Sequence, residues 1–337
     1  MAKKVIVIIV LTVIFFISSI LIVPIVILSE MYFNSDFIDK RIFYYYTPSN
    51  FSTHEELNLN INRSNVNIRY VDPSYHFSVK IEVHFEISGA NVLGKSYSDY
   101  FNIEWENSSS PLNFSMVYKP GIDPLEVSSL LNNVSINVFL RSDIVFDINT
   151  EIDEGNVDLL VNFMVLINNI DVNIERGNIA FNFIYCVIGG NITGSVNVGD
   201  IIFRLHDVQY TRNCFWNLTL GNGDMLFDII QYKDIGANIT GVGEINIGEL
   251  RVLYKDYNPN VGALFIFHNA FGTNNNIWEG FKEPENEIDE NQWWLSRFLF
   301  YSNGFPGLNY YNVSLYRPNN PPDSGYVYNL LNTNNTI

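Results

Sequence analysis

A short phrase recurs along the second half of the chain at a spacing that few folds can accommodate. A glycine is followed by Asn, Asp or Glu and then by alternating hydrophobic residues, and successive copies begin 22, 22, 24 and 25 residues apart. A period in the twenties is typical of a solenoid, in which each repeat packs against its neighbours. The repeat glycines are Gly155, Gly177, Gly199, Gly223 and Gly248, and Gly272 is a candidate for a degraded sixth copy.

The residues inside each copy predict β-strands. In "GNIAFNF", residues 177–183, hydrophobic residues alternate with the period of two that a strand requires. A turn with positive φ explains the glycine, because such a φ costs other L-residues about 1–2 kcal/mol. A second alternating stretch precedes each glycine, as in "NIDVNIE". We therefore predict an all-β fold, with β-solenoid rungs of ~22–25 residues over 151–272 and a β-rich part without the period over 55–150.

The residue after each repeat glycine has two interpretations. Asn and Asp suit tight turns, and Asn side chains stacked from rung to rung can hydrogen-bond along the stack. The alternative is a calcium site, because amide and carboxylate oxygens bind Ca²⁺. The turn ladder is favoured, since the sequence lacks the nonapeptide calcium repeat with paired glycines. The column consists of Asn156, Asn178, Asp200, Asp224 and Glu249.

An apolar stretch near the N-terminus predicts a membrane anchor. Residues Val5–Ser29 contain no charge, and at ~1.5 Å per residue they exceed the ~30 Å hydrocarbon core of a bilayer. The stretch is too long for a cleaved signal peptide, and no small-x-small cleavage site follows it. We expect a single-pass signal anchor at 1–30 and a linker at 31–54. Because Lys3 and Lys4 flank the short side, we expect the N-terminus inside and the bulk of the chain outside the cell.

Asn-x-Ser/Thr sequons accompany this predicted extracellular location. They are about twice as frequent as the Asn-, Ser- and Thr-rich composition would produce by chance. Each is a candidate N-glycosylation site, although plain turn and strand asparagines would give the same pattern. They are Asn50, Asn62, Asn107, Asn113, Asn133, Asn191, Asn217, Asn238, Asn312 and Asn334.

Charge and cysteine content exclude several classes of function. The net charge of −17 argues against binding nucleic acid, which needs a basic surface, and against docking on anionic lipid. Two cysteines, Cys186 and Cys214, are too few for a disulfide scaffold or a Cys-rich zinc site, and the sequence leaves open whether they pair. The sequence contains no HExxH motif, phosphate-binding glycine loop or nucleophile elbow. We therefore predict no catalytic residue, cofactor or metal.

One group of polar residues was the strongest candidate for chemistry. Arg204 and Asp228 both lie five residues after a repeat glycine, and His206 follows Arg204 by two, so the three should meet on the outer face of adjacent rungs. The favoured interpretation is an ion pair on that face. The alternative is an acid–base or sugar-binding site of the kind found on β-helical polysaccharide lyases. The neighbouring outward positions, Ile202 and Leu226, indicate a face that is covered rather than wet.

Residues ~57–270 resemble a family of candidate adhesins of bacterial and archaeal surface proteins, long known only as a domain of unknown function. The resemblance rests on "SNVNIRYVDPSYHFSVKIEVHF", on "NVSINVFLRSDIVFDINTEIDEGNVDLLV" and on the repeated Gly-Asn/Asp rungs that follow. It implies a β-solenoid fold and a prokaryotic cell-surface setting. It implies no catalytic residues. The anchor and residues 273–337 depart from the family pattern.

The C-terminal segment, 273–337, is rich in aromatic residues and has two interpretations. It is expected to cap the last rung near Leu264–Phe267, because an uncovered sheet edge invites aggregation. The alternative is that Trp293 and Trp294 form an exposed contact patch for a glycan, a partner protein or the membrane interface.

Together these features predict a membrane-anchored cell-surface protein with an adhesive or envelope-structural role and no catalysis. Its expected partners are the membrane and either a glycan or another surface protein, and nucleic acid is not among them. The alternatives are a β-helical polysaccharide lyase or hydrolase and a membrane-tethered extracellular sensor.

Overall fold

The computed structural model describes residues 36–48, 53–89, 92, 95–123, 131–162, 164–232, 237, 239–256, 263–269, 277–279, 298–304, 309–316 and 325–331. Over these residues the chain is all-β, as predicted, and its helix α1 is a single turn, Tyr97–Tyr100. No helix among the described residues is long and apolar enough to cross a membrane. The predicted anchor at 1–30 lies outside them.

The strands up to the first repeat glycine are β1 (Asp36–Tyr46), β2 (His54–Arg63), β3 (Asn65–Val71), β4 (Val79–Gly89), β5 (Phe101–Glu106), β6 (Leu112–Tyr118), β7 (Leu131–Arg141) and β8 (Val145–Glu154). The periodic region continues with β9 (Val157–Asn162), β10 (Leu166–Ile167), β11 (Ile170–Arg176), β12 (Ile179–Ile184), β13 (Val187–Ile188), β14 (Ile192–Val198), β15 (Ile201–His206), β16 (Gln209–Tyr210), β17 (Cys214–Asn222), β18 (Met225–Gln231) and β19 (Ile239–Asp256). The last described strands are β20 (Ala263–Asn269), β21 (Ile277–Glu279), β22 (Phe298–Gly304), β23 (Asn309–Tyr316) and β24 (Gly325–Leu331).

The described residues divide between two compact units. The first contains those within Met1–Arg41, His84–Phe101 and Tyr118–Asn133, and the second contains those within Ile42–Val83, Asn102–Val117 and Val134–Ile337. In the first unit the Phe85 ring stacks on Tyr97 at 5.1 Å between centroids and lies 5.4 Å from Phe101. His84 Nε2 lies 2.8 Å from Asp39 Oδ1 in the same unit.

Parallel strand pairing organises the periodic part of the second unit. We call the ladder formed by β8, β11, β14, β17 and the first half of β19 ladder 1. Ladder 2 is formed by β9, β12, β15, β18 and the second half of β19, and ladder 3 by the short strands β10, β13 and β16. Each repeat therefore contributes one strand to each of the first two ladders. The sequence period is thus the length of chain between one strand and its neighbour in the same ladder.

The core consists of the inward residues of these ladders. Phe181 pairs in register with Leu159 on one side and with Phe203 on the other, and all three are fully buried. The three inward columns predicted from the alternation are buried on four successive rungs. These residues are Val157, Leu159, Val161, Ile179, Phe181, Phe183, Ile201, Phe203, Leu205, Met225, Phe227 and Ile229. Burying such side chains contributes roughly 1.5–3 kcal/mol each, so the alternation sets which face of every strand turns inward.

The five repeat glycines occupy one corner of the stack, between ladder 1 and ladder 2. Their φ angles lie between 140° and 146°. A Cβ atom on Gly177 would overlap the carbonyl oxygen of Gly155, and one on Gly199 would overlap that of Gly177. A side chain is therefore excluded at this corner for two reasons. The positive φ disfavours it, and the carbonyl oxygen of the neighbouring rung occupies the position of its Cβ.

The part over 55–150 is β-rich, as predicted, and two of its strands pair with strands of the repeats. Strand β2 pairs in parallel with β8, with Leu57 opposite Ile148, and β3 pairs in parallel with β9. The other edges of β2 and β3 pair with β6 and β7. Residues 54–71 therefore form a further rung, but its partner is 91 residues away in sequence, so no constant period reveals it. Ser64 stands at the corner where the later rungs have glycine.

The C-terminal strands also stack out of sequence order. Strand β19 pairs with β22 and β23, and β20 pairs with β22 and β24. The rung expected to follow Gly248 directly therefore comes from 298–316 and not from "ALFIFHN", residues 263–269. Residues of the predicted cap do pair with Leu264–Phe267, through β22 and β24, but they do so as strands that extend the ladder. Gly272, Trp293 and Trp294 lie outside the described residues.

Candidate functional site

In ladder 1, three outward positions on each of the four rungs from β8 to β17 are polar or glycine, and we call these twelve positions face 1. Val198 and Phe215, near the ends of β14 and β17, are exposed but lie outside face 1. Neighbouring side chains bond across rungs: Thr193 Oγ1 donates to Asp171 Oδ1 at 2.6 Å, and Asn197 Nδ2 donates to Glu175 Oε1 at 2.8 Å. With no aliphatic or aromatic side chain, face 1 has the composition of a solvated surface. On the four rungs from β8 to β17 its positions are Asn149, Glu151, Asp153, Asp171, Asn173, Glu175, Thr193, Ser195, Asn197, Asn217, Thr219 and Gly221.

The outward side chains of ladder 2 form face 2, and here half of the positions are aliphatic. All of them are partly exposed. The aliphatic members are Leu160, Ala180, Ile184, Ile202, Leu226 and Ile230, and the polar members are Asp158, Asn162, Asn182, Arg204, His206 and Asp228. Because a clustered apolar surface is more informative than single exposed residues, face 2 is the candidate functional surface of the second unit.

A line of polar contacts crosses face 2 from rung to rung. Arg69 Nη2 lies 2.6 Å from Asp158 Oδ2, and Asn182 Nδ2 donates to Asp158 Oδ1 at 3.0 Å. Asn182 Oδ1 accepts in turn from Arg204 Nη1 at 3.0 Å. Arg69, Asp158 and Asn182 are functional candidates that were not predicted from the sequence. Arg69 lies five residues after Ser64, the same offset that separates Arg204 from Gly199, and only the serine at the corner concealed that match.

The structure brings together the predicted group of Arg204, His206 and Asp228. Arg204 and Asp228 are opposite each other in the β15–β18 pair. Asp228 Oδ2 lies 3.9 Å from Arg204 Nε and 3.4 Å from His206 Nε2. The side chains are 39%, 20% and 29% exposed for Arg204, Asp228 and His206, so the ion pair contributes at most about 1 kcal/mol to folding. Its position amid aliphatic residues matters more, because a partner that covers face 2 would also cover this pair.

The Asn/Asp column beside the repeat glycines forms a hydrogen-bonded ladder. Asn156 Oδ1 accepts from the backbone N–H of Asn178 at 2.9 Å, and Asn178 Oδ1 accepts from that of Asp200 at 2.7 Å. The described part of the ladder runs from Asn65, whose Oδ1 accepts from Asn156, to Asp224, whose N–H donates to Asp200 Oδ1. The acceptor is an oxygen that Asn and Asp share, which explains why both occur in the column. Among the described residues, no group of His, Cys, Asp or Glu has the arrangement of a metal site.

A second ladder of the same kind occupies another corner and was missed. Asp147 Oδ1 accepts from the N–H of Asn169 at 2.9 Å, and Asn169 Oδ1 accepts from that of Asn191 at 3.0 Å. Asn191 Oδ1 accepts from Phe215 N–H at 3.1 Å. The 22-residue spacing of Asp147, Asn169 and Asn191 was the available signal, but no glycine marks it.

The sequons fall on different parts of the described chain. Asn62, Asn113 and Asn217 lie on outward positions of β2, β6 and β17 in the ladder that continues face 1. Asn191 belongs to the second corner ladder, and Asn107 Nδ2 donates to the Tyr45 carbonyl at 3.1 Å. The remaining described positions are Asn133 in β7 and Asn312 in β23, while Asn50, Asn238 and Asn334 lie outside the described residues.

The two cysteines are free thiols, and both are buried. Cys186 stacks in an inward column between Val165 and Val208, which are also buried. Burial raises the pKa of the Cys186 thiol to about 12, which leaves it protonated and unreactive at neutral pH. The pairing that the sequence left open is absent here.

Comparison with known proteins gives distant structural neighbours. No family model and no curated protein matches the chain. A candidate cell adhesion protein from Clostridium sporogenes is similar at 12% identity and a TM-score of 0.39, over 83% of this chain and 100% of its own. A candidate adhesin from Parabacteroides distasonis has 12% identity and a TM-score of 0.35, over 82% and 97% of the two chains. A candidate adhesin from Parabacteroides merdae has 10% identity and a TM-score of 0.36, over 84% and 97%.

Proposed function

We propose that the chain is a membrane-anchored cell-surface protein whose β-solenoid presents face 2 to another macromolecule, in an adhesive or envelope-structural role without catalysis. The observation that carries the proposal is the difference between the two faces. The twelve positions of face 1 include no aliphatic side chain, and the exposed Val198 and Phe215 lie only near the ends of their strands, whereas half of the positions of face 2 are aliphatic and partly exposed. A solenoid rung needs only its inward residues to fold, so an apolar outward face serves another purpose.

The size of face 2 fits a contact surface. Four strands at ~4.8 Å and six residues at ~3.3 Å give a patch of roughly 400 Å². Half of its positions are aliphatic, so the apolar share of the patch is roughly 200 Å², and the other half is polar. Covering the patch removes apolar area from water at about 25 cal/mol per Å², which favours association.

The rest of the chain is consistent with a tethered display of this face. The charge-free stretch Val5–Ser29 is long enough to hold the chain in a membrane. Charged residues are only 16% of the chain, and the amides and hydroxyls of face 1 supply the polarity that water requires. Repeated rungs also make a surface of regular spacing, which suits a contact made by many copies at once.

The test is binding by cells that display the full chain, compared between the two faces. Ile202→Lys and Leu226→Lys place a charge in face 2, and Asn173→Lys and Ser195→Lys are matched changes at face 1 positions outside the sequons. We expect the face 2 variants to lose at least about tenfold in binding to other cells or to isolated envelopes, because a buried unpaired charge opposes contact. The face 1 variants should bind like the wild type. Equal binding by all four variants would overturn the proposal.

The second candidate function is a polysaccharide-degrading enzyme, and one observation favours it. Asp228 Oδ2 lies within 4 Å of both Arg204 Nε and His206 Nε2, an arrangement that could position a carboxylate beside an acid or base. Incubating the full chain with envelope polysaccharides and measuring reducing ends or unsaturated products tests it. Cleavage by the wild type that Asp228→Asn abolishes would replace the non-catalytic proposal with this one.

A further inference from the structure

We infer that the partner of face 2 is a second copy of this chain, docked face to face with its strand stack running in the opposite direction. The inference rests on the proposed function, because it takes face 2 to be the contact surface and adds the identity of the partner. What selects a second copy is the placement of two opposite charges among the aliphatic residues.

Arg204 and Asp228 occupy the same outward position on adjacent strands of ladder 2. Adjacent strands are ~4.8 Å apart, so the two charged positions form a dipole along the stack. A two-fold axis that lies in the contact plane, parallel to the strands and midway between β15 and β18, exchanges these positions. Arg204 then lies opposite the partner subunit's Asp228, and Asp228 lies opposite the partner subunit's Arg204. In such an isologous contact each charge keeps its neighbour within the chain and gains an opposite charge from the partner subunit.

The same rotation matches the flanking positions. Ile202 and Leu226 are opposite each other in the strand pair, and so are His206 and Ile230. The two-fold axis therefore places Ile202 against the partner subunit's Leu226, an aliphatic pair. His206 comes against the partner subunit's Ile230, so no like charges meet at the six positions of β15 and β18. The centre of the contact is thus charged and complementary, with aliphatic residues beside it.

The parallel arrangement of two copies is disfavoured by the same residues. A two-fold axis that runs along the stack would place each strand opposite the same strand of the partner subunit. Arg204 would then face the partner subunit's Arg204, and Asp228 the partner subunit's Asp228. Like charges held together in a contact are strongly unfavourable, so charge selects the antiparallel arrangement.

The antiparallel arrangement has a consequence for anchored copies. Two chains whose stacks run in opposite directions can be anchored in two membranes that face each other. Across this axis only β15 and β18 of face 2 meet their own copies, an area of roughly 200 Å² against the ~800 Å² that each partner buries in a standard interface, so a single contact should be weak. Many anchored copies acting together would supply the strength through avidity.

The experiment uses the full chain, reconstituted in lipid vesicles, and measures vesicle clustering by light scattering. We expect wild-type vesicles to cluster. Arg204→Asp and Asp228→Arg should each reduce clustering by at least about tenfold, because each places like charges opposite each other. Mixing Arg204→Asp vesicles with Asp228→Arg vesicles should restore clustering, and so should the double variant that carries both changes. Arg176→Asp and Asp171→Arg, which make the same charge changes outside face 2, should cluster like the wild type.

Rescue by mixing also guards against misfolding, since two unfolded variants cannot restore a contact. Ile202→Glu and Leu226→Lys form a second complementary pair and should show the same loss and rescue. Wild-type vesicles that stay dispersed would overturn the self-contact, as would single variants that cluster normally or a mixture that fails to rescue. Dispersed wild-type vesicles together with a face 2 requirement in the cell-binding test would leave the proposed function standing with a different partner.

Discussion

At the repeat corner each glycine after Gly155 lies directly beside the glycine of the preceding rung. The backbone N–H of Gly177 donates to the Val198 carbonyl at 2.9 Å, and that of Gly199 donates to the Asn222 carbonyl at 2.9 Å. The strands can approach to hydrogen-bonding distance here only because no Cβ intervenes. The next residue then ties the rungs together through its side-chain oxygen, so two consecutive residues define the corner.

Replacing Gly199 by Ala should be severely destabilising. The φ of Gly199 is 143°, and a Cβ would overlap the carbonyl oxygen of Gly177. The backbone penalty of about 1–2 kcal/mol and the overpacking penalty of about 1–3 kcal/mol add, so we expect a loss of roughly 2–5 kcal/mol in the free energy of unfolding. Urea denaturation measures it.

Gly121→Ala is the matched control for that change. Gly121 also has a positive φ, 85°, but nothing lies within 4 Å of a Cβ built on it. It should lose only the backbone penalty of about 1–2 kcal/mol. Equal losses at Gly121 and Gly199 would contradict the role of the close approach between rungs.

The buried thiol and phenols should make the protein sensitive to alkali. Burial raises the pKa of Cys186 from 9.0 to about 12 and raises the pKa of Tyr70 and Tyr210 above 10.0. Above pH 9 the unfolded chain therefore loses protons that the folded chain retains, and stability falls as the pH rises from about 9 towards 12. Each such group contributes a slope of at most about 1.4 kcal/mol per pH unit.

Cys186→Val tests the thiol contribution, because valine suits a column that already holds Val165 and Val208. The free energy of unfolding, measured between pH 7 and about 11, should decline less steeply in the variant than in the wild type. Parallel curves for the two proteins would show that Cys186 does not titrate differently on unfolding.

At the scale of the strand, neighbouring rungs compensate for one another in volume. Gly194 in β14 pairs in register with Leu218 in β17 and with Val172 in β11. A Cβ on Gly194 would lie 3.0 Å from Leu218 Cδ2 and 3.1 Å from Phe181 Cε2. The glycine thus leaves the space that these larger side chains fill, and a strand can be understood only together with the strands on either side.

Gly194→Val and Leu218→Ala should compensate in a double variant. The first change overpacks the column at about 1–3 kcal/mol, and the second leaves a cavity at about 2–5 kcal/mol. Combining them nearly conserves volume, so the double variant should be more stable than the sum of the two losses implies. A double-mutant cycle by urea denaturation measures this coupling, and strict additivity would show that the two positions do not share space.

At the scale of the whole molecule, the chain builds its parallel ladders from distant segments at both ends. The β2–β3 rung pairs with β6–β7 and with β8–β9, and the β22–β23 strands pair with β19 and with β20–β21. Long loops must close before these pairs form, which slows folding relative to the local repeats. The regular middle of the stack is therefore the part best suited to form first.

The proposed topology predicts where a protease reaches the anchored chain. Lys95 and Arg212 are exposed and lie outside the strands, so trypsin added to intact cells should cut at both. Mass spectrometry of the released fragments identifies the cuts, and Arg212→Gln should remove one of them. A cytoplasmic protein that stays intact shows that the cells are sealed. Digestion of this chain only after lysis would reverse the proposed orientation.

The repeat, the alternation and the corner glycines could be predicted because their causes are local. A period-two pattern sets which side of a strand is buried, and a corner held at positive φ favours glycine. The same local rules placed Arg204 opposite Asp228, since equal offsets from successive glycines must meet in a parallel pair. The all-β class and the inward columns therefore followed from the sequence alone.

Only the tertiary structure decided what lies beside a strand when its neighbour is distant in sequence. Ser64 occupies a glycine corner, and Arg69 meets Asp158 across 89 residues of chain. Backbone hydrogen bonds between strands have the same form whatever the sequence, so pairing across long separations leaves no period to detect. The side chains that touch across such pairs, and with them the polar line on face 2, are set by the packing of the whole stack.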